Sequence, residues 1–346
     1  MKTANYITNL LELSNNKTNL QSKPQFLNFF ITKECNLKCI MCCNGFKERD
    51  KILNYETISK ILLSNKQLRV VEWIGGEPLT HPDIERIMDL AHSLQIRQIL
   101  VTNGTLLNTK IIKKLIEYNV DITISIHGSQ EEICKDIEEG IDFKKLEDNI
   151  KELTDLKKQT KHHPELLTIN YVVLKQNYRY MNSMIDFLNK YGIKNIFFES
   201  DVLNGADSVL SDEDSTKKLP VIFEDILKKA SALGINVFVD DKFMPSIPLK
   251  DIKIEKDEYY CLVPWIGACI GVNGDVTNSV FCGQTIGNIF KDDFDKIWNS
   301  DTAVGIRRSL IDKKNMKQCS MCEGMHVVTK IYRAFDRFTK ITIRNY

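Results

Sequence analysis

The stretch FLNFFITKECNLKCIMC, from Phe26 to Cys42, decides how the rest of the chain is read. Its opening, Phe26–Thr32, is rich in Phe, Ile and Leu and has the composition of a buried strand. The polar turn that follows carries Cys35, Cys39 and Cys42, so three thiols in a CxxxCxxC spacing leave the end of that strand together. Further β-type runs follow at Val70–Ile74, Gln98–Thr102, Asp121–Ile126, Leu167–Leu174 and Asn195–Glu199. Between them, apolar residues recur at helical steps over Glu56–Asn65, Pro82–Leu94, Thr109–Tyr118, Phe143–Lys158 and Tyr180–Lys190. Strand–helix alternation implies parallel βα units, because parallel neighbours need a crossover. Six units fit an α/β fold of the partial (β/α)6 barrel type better than a closed eight-stranded barrel. In such a fold the site lies at the C-terminal ends of the strands. Every unusual motif obeys that rule: Glu34–Phe46, Gly75–Pro78, Asn103–Thr105 and His127–Gly128 each follow a strand.

The bulk numbers narrow the class. The 346 residues carry 47 Lys plus Arg against 46 Asp plus Glu, which gives no electrostatic reason to expect nucleic acid or a membrane surface as partner. No apolar run is long enough to span a bilayer, and Met1–Lys23 lacks the charged start and apolar core of a signal peptide. A cytoplasmic location is therefore expected, where thiols stay reduced. Of the 10 cysteines, four fall within Cys35–Cys43, five from Cys261 onward, and Cys134 stands alone between. That clustering in a reducing compartment points to metal rather than disulfides.

Three thiolates can hold three irons of a four-iron cluster and leave the fourth open. A structural zinc site wants four ligands, usually with paired C-x-x-C spacing, and Cys43 directly follows Cys42, which ill suits a shared metal. Here the chain resembles the radical S-adenosylmethionine superfamily. The resemblance implies that Cys35, Cys39 and Cys42 bind a reducing [4Fe-4S] cluster whose open iron chelates S-adenosylmethionine. It further implies reductive cleavage to methionine and a 5′-deoxyadenosyl radical that abstracts hydrogen from substrate. Gly75, Gly76, Glu77 and Pro78 resemble the family's GGEP loop, whose backbone and Glu receive the methionine ammonium. Thr102 and Asn103, in Thr102-Asn103-Gly104-Thr105, resemble the loop after the third strand. Ser125 stands where the family contacts the ribose or methionine part. Met41 occupies a place that is commonly aromatic and packs near adenine, and a thioether can fill it. His127 stands where many relatives have Asp and is a candidate substrate contact.

The C-terminal region differs in texture. Ala268–Val272, Asn273-Gly274 and Asp275–Thr277 read as a hairpin with a type I′ turn. Cys261-Leu-Val-Pro-Trp265, Cys282, Ile297-Trp298 and Cys319-Ser-Met-Cys322 resemble the auxiliary-cluster domains called SPASM or twitch. The resemblance implies a second [4Fe-4S] cluster on Cys261, Cys282, Cys319 and Cys322, with Cys269 in reserve; a zinc ribbon is the competing reading. The expected organisation is an extension over 1–23, the barrel over 24–240, a linker over 241–260, a small cysteine-rich hairpin-plus-helix domain over 261–325 and a helical tail over 326–346.

The family and its domain imply an enzyme, here an oxidoreductase-type one, with flavodoxin or ferredoxin as electron donor. Relatives with this domain act on ribosomal peptides, partner proteins, or sugars and aminocyclitols. Peptide or protein modification comes first as the commoner use, with dehydrogenation or epimerisation of a sugar or aminocyclitol as alternative. Catalytic candidates are His127 and Cys134, the latter as a hydrogen donor of the kind used by some epimerising relatives. Glu199, Asp201 and Asp240 are substrate-contact candidates by position. A non-catalytic iron–sulfur or zinc scaffold would not need the Gly75–Pro78 loop, and a tRNA-modifying enzyme fits poorly with the balanced charge.

Overall fold

The computed structural model describes residues 2–42, 51–160, 167–201, 205–240, 242–243, 261–278 and 284–312. The chain divides into two compact units. The larger is Phe29–Ser59 with Val70–Ile252; the smaller is Met1–Asn28 with Lys60–Arg69 and Lys253–Tyr346. In chain order the elements are α1 (Lys2–Ser14), β1 (Phe26–Thr32), β2 (Lys38–Cys39), α2 (Tyr55–Ser64), β3 (Val70–Gly75), α3 (Ile84–Ser93), β4 (Arg97–Thr102), α4 (Thr109–Glu117), β5 (Asp121–Ser125), α5 (Glu131–Ile137), β6 (Glu138–Glu139), α6 (Phe143–Gln159), β7 (Leu167–Val173), α7 (Met181–Tyr191), β8 (Asn195–Ser200), α8 (Glu213–Leu233), β9 (Asn236–Val239), α9 (Val263–Ile266), β10 (Gly267–Ile270), β11 (Asp275–Thr277), β12 (Thr285–Asn288), α10 (Phe294–Trp298) and α11 (Asp301–Ile311).

In the larger unit, β3, β4, β5, β7, β8 and β9 pair in that order, all parallel. Phe29–Thr32 of β1 lies beside β3. This is the α/β partial barrel expected from the alternation, with β9 as a further parallel strand. Within β4, β5 and β7, buried residues alternate with half-buried ones, so one face is sealed and the other lines the interior. The sealed face carries Trp73, whose ring lies 5.4 Å from Phe29 and whose Nε1–H donates to Gln98 Oε1 at 2.9 Å. Helix starts are set by Asn108 and Asp142, whose side chains accept from the amides of Ile111 and Lys145. Gly192 and Gly234, in left-handed conformation, end α7 and α8.

The smaller unit holds the antiparallel strands β10, β11 and β12. The hairpin is where the sequence places it, but its turn is not type I′. Gly271 O accepts from Gly274 N and Gly271 N donates to Asp275 O, both at 2.9 Å, which makes the loop three residues long. Gly274 alone takes positive φ (78°), so Asn273 is spared the conformation a type I′ turn demands. Residues 2–23 are stitched into this unit through polar groups. Asn9 Nδ2 donates to Trp265 O at 2.6 Å, Trp265 Nε1 to Lys17 O at 2.7 Å, and Asn299 exchanges two bonds with Leu20. Arg307, fully buried, donates to the carbonyls of Pro264, Thr18 and Trp298. Cys43, Cys282, Cys319, Cys322, the expected linker 241–260 apart from residues 242–243, and the tail 326–346 lie outside the described residues.

Candidate active site

The loop after β1 is held by short local bonds. Glu34 N donates to Thr32 Oγ1, and Leu37 N lies 3.4 Å from Cys35 Sγ. Cys35, Cys39 and Cys42 are half-buried thiols outside any disulfide among the described residues. The apolar Leu37 between them is buried and anchors the turn. Burial, then Glu138 and the two neighbouring thiols, pushes the Cys39 thiol up. A bound cation reverses that preference, because a coordinating thiol is deprotonated.

Gly75 and Gly76 bring β3 against the start of this loop. Gly76 N donates to Thr32 O and Glu77 N to Glu34 O, each at 2.7 Å. A Cβ on Gly76 would stand 2.1 Å from Glu34 O, and one on Gly75 2.4 Å from Thr32 O, so the approach requires glycine at both places. Glu77 is fully buried and its carboxylate is occupied from inside. Oε1 accepts from Thr102 Oγ1 at 2.7 Å and Leu79 N at 3.0 Å, and Oε2 from Asn103 N at 2.7 Å. Burial pushes this carboxyl up, and the three donors oppose the shift. Pro78 opens the short turn that follows.

Asn103 links two loops. Its Nδ2 donates to Asn36 Oδ1 at 3.0 Å and lies 4.0 Å from Cys35 Sγ, while its Oδ1 accepts from Thr105 N and Oγ1. Asn36 returns a bond to Thr105 Oγ1 at 2.8 Å, and Asn149 of α6 holds the carbonyls of Gly104 and Thr105. Sequence reasoning missed Asn36 and Asn149; the one readable signal was an amide between two motif cysteines. Met41 is half-buried beside Cys42.

Ser125 ends β5 directly opposite Asn170 of β7. Asn170 Nδ2 donates to Glu199 Oε2 at 3.0 Å. His127 is buried, with Nδ1 accepting from Val172 N at 3.1 Å and its carbonyl accepting from Asn177 Nδ2. Burial lowers its pKa to about 4 against a weaker pull upward from Glu199, so the ring is neutral. Cys134 is buried on α5, its thiol donating to Gly128 O at 3.2 Å. Asp201 accepts from Gly205 N and Asp240 from Ser200 Oγ, both carboxylates being buried at strand ends. The structure thus joins the loop that carries Cys35 to Gly76, Glu77, Thr102 and Asn103 through direct bonds, while Cys39 is tied instead to Glu138 of β6. In the smaller unit Cys261 is half-buried just before α9, and Cys269 is buried in β10.

Two family models match the chain: the radical SAM superfamily over residues 29–188, and the SPASM iron–sulfur cluster-binding domain over 261–323. The chain belongs to the radical SAM superfamily. An uncharacterized protein of Methanocaldococcus jannaschii is 29% identical over 179 residues, 49% of this chain and 60% of that protein. The Fe-coproporphyrin III synthase of Methanosarcina barkeri is 24% identical over 336 residues, 88% of this chain and 82% of that one. Among solved structures, Streptococcus suis SuiB bound to S-adenosylmethionine superposes with a TM-score of 0.67 at 20% identity, covering 88% of this chain and 72% of SuiB. That likeness shows the fold. The chain spans only 60%, 49% and 56% of the lengths of the first curated relatives it matches.

The radical SAM and SPASM models imply a [4Fe-4S] cluster, S-adenosylmethionine and an auxiliary iron–sulfur cluster as cofactors. The first loop fits such a cluster. Its three donors are soft thiols carried on one loop, the ligand type that iron–sulfur clusters take. Among the described residues no helix is long and apolar enough to cross a membrane.

Proposed function

We propose that Cys35, Cys39 and Cys42 hold the cluster that cleaves S-adenosylmethionine, and that the enzyme oxidatively modifies a ribosomal peptide or protein. What carries this reading is the bonded junction of the three-cysteine loop with Gly75–Glu77 and Thr102–Asn103, at the C-terminal ends of parallel strands. Held by Cys35, Cys39 and Cys42, a reduced cluster would supply the one electron needed to cleave S-adenosylmethionine to methionine and a 5′-deoxyadenosyl radical, the species that would take hydrogen from substrate.

The chain's own residues supply the setting. Glu77 and Asn103 lock the two flanking loops to the cysteine loop. The backbone of Gly75 and Gly76, with Pro78 setting the turn, lines the methionine end, and Glu77 acts there through the residues it holds. Ser125 and Met41 border the nucleoside, and neutral His127 faces the substrate side beside Glu199. Cys261, Cys282, Cys319 and Cys322 are assigned to an auxiliary [4Fe-4S] cluster in the 261–325 domain, with 24–240 as the catalytic part. A flavodoxin- or ferredoxin-like protein supplies the electron. The peptide assignment is supported by SuiB, which has been solved bound to its precursor peptide SuiA.

The test is formation of 5′-deoxyadenosine by anaerobically reconstituted, dithionite-reduced protein, followed by deuterium transfer from labelled precursor peptides. Deuterium in 5′-deoxyadenosine from a peptide supports the assignment. Transfer only from an aminocyclitol or sugar replaces it. No cleavage at all leaves a scaffold or sensor.

A further inference from the structure

The segment between the β5 loop and α6 has no part in the chemistry above, yet it touches two loops that do. At one end, α5 packs hard on Gly128. A Cβ there would stand 3.0 Å from Ile133 Cβ and 3.1 Å from Cys134 Sγ, and the Cys134 thiol donates to Gly128 O at 3.2 Å. At the other end, Ile137 O accepts from Ile40 N at 2.9 Å, and β6 pairs antiparallel with β2, Glu138 opposite Cys39 and Glu139 opposite Lys38. Lys38 Nζ adds an ion pair to Glu139 Oε1 at 3.0 Å. Gly140, at φ 94°, then turns the chain away, closed by Ile141 N on Glu138 O at 3.0 Å. Inside this segment Glu138 is 1% exposed, and its Oε2 has no hydrogen-bond partner among the described residues. A single short helix therefore runs from the loop after β5 to the loop of the cysteines.

We propose that α5 and β6 form a strut that sets the spacing between the β5 loop and the cluster loop, with Cys134 as a positioning residue at one end and the Cys39–Glu138 ladder at the other. This rests on the assignment of those loops to S-adenosylmethionine and the cluster. A ligand chelated by an iron on one loop and gripped along its length by the other needs both at a fixed separation. Cys134 works here as a hydrogen-bond donor in a close-packed contact, so serine can replace it and alanine cannot.

The test reads the EPR signal of the reduced first cluster while S-adenosylmethionine is titrated, with iron content measured on the same samples. Wild type is expected to change signal on addition. Cys134→Ala is expected to keep its iron and to need about tenfold more S-adenosylmethionine for the same change, with Cys134→Ser close to wild type. Wild-type titration by Cys134→Ala overturns the strut. Should Cys134→Ala fail to fold, Gly128→Ala decides, since its methyl pushes the same contact apart; a wild-type titration there overturns it equally. A wild-type signal indifferent to S-adenosylmethionine overturns the underlying assignment, and the strut with it.

Discussion

Glu77 shows how much one side chain can hold. Its carboxylate takes three donors from Leu79, Thr102 and Asn103 with no exposure to solvent. Changing it to Gln puts an NH2 group against the backbone N–H of Leu79 or of Asn103, neither of which can accept. Glu77→Gln is expected to lose about 1–3 kcal/mol of stability in denaturant unfolding, the cost of a buried polar group left unpaired. The sequence shows a carboxylate after two glycines and suggests a partner for a cation. It cannot show the donors, because two of the three are backbone amides and carry no side-chain signature. His127 gives a pH dependence whose sign follows from burial. Its folded pKa of about 4 lies below the ordinary 6.5, with Glu199 the charge that faces it. Above pH 6.5 folded and unfolded rings are both neutral and nothing is lost. As pH falls from 6.5 toward 4 the unfolded chain takes up a proton that the folded chain refuses, and stability drops. Relative to His127→Gln, wild type is expected to lose about 2 kcal/mol between pH 7.5 and pH 5, measured by denaturant midpoints at each pH.

Among the elements, the strands and most helices of the larger unit were legible, because each repeats a short apolar run followed by an amphipathic one. Helix α1 was not, and the reason is physical. Its buried positions include Asn9 and Glu12, while Ile7, Leu10 and Leu11 are exposed, so hydrophobic periodicity points the wrong way. What seats it is hydrogen bonding: Asn9 to Ser22 Oγ and Trp265 O, and Glu12 to the amides of Gln21 and Ser22. Asn9→Ala is expected to destabilise by about 1–3 kcal/mol, while Leu11→Gln stays within about 0.5 kcal/mol, both read from denaturant unfolding. The opposite ranking would mean that α1 buries its apolar face. The two-residue strands β2 and β6 were also invisible. A ladder of two pairs leaves no pattern in composition, although it fixes Cys39.

At the scale of the whole molecule, the candidate site was legible as far as its motifs go. The CxxxCxxC, Gly-Gly-Glu-Pro and Thr-Asn-Gly stretches are each local and each follow a strand. The ties of Lys17, Leu20 and Ser22 to residues 265–299 were not, since those bonds join positions more than 240 apart in sequence and no local pattern records them. The grouping of His127, Asn170 and Glu199 stayed obscure for a related reason: they come from the loop after β5, the middle of β7 and the end of β8, and form no motif. The central claim is that Cys35, Cys39 and Cys42 hold a cluster of their own, apart from the auxiliary one. Its most direct test is the iron content, after anaerobic reconstitution, of a folded variant with all three changed to Ala. A loss of about four irons per chain, with about four retained, is the expected result. An iron content equal to that of wild type would contradict it.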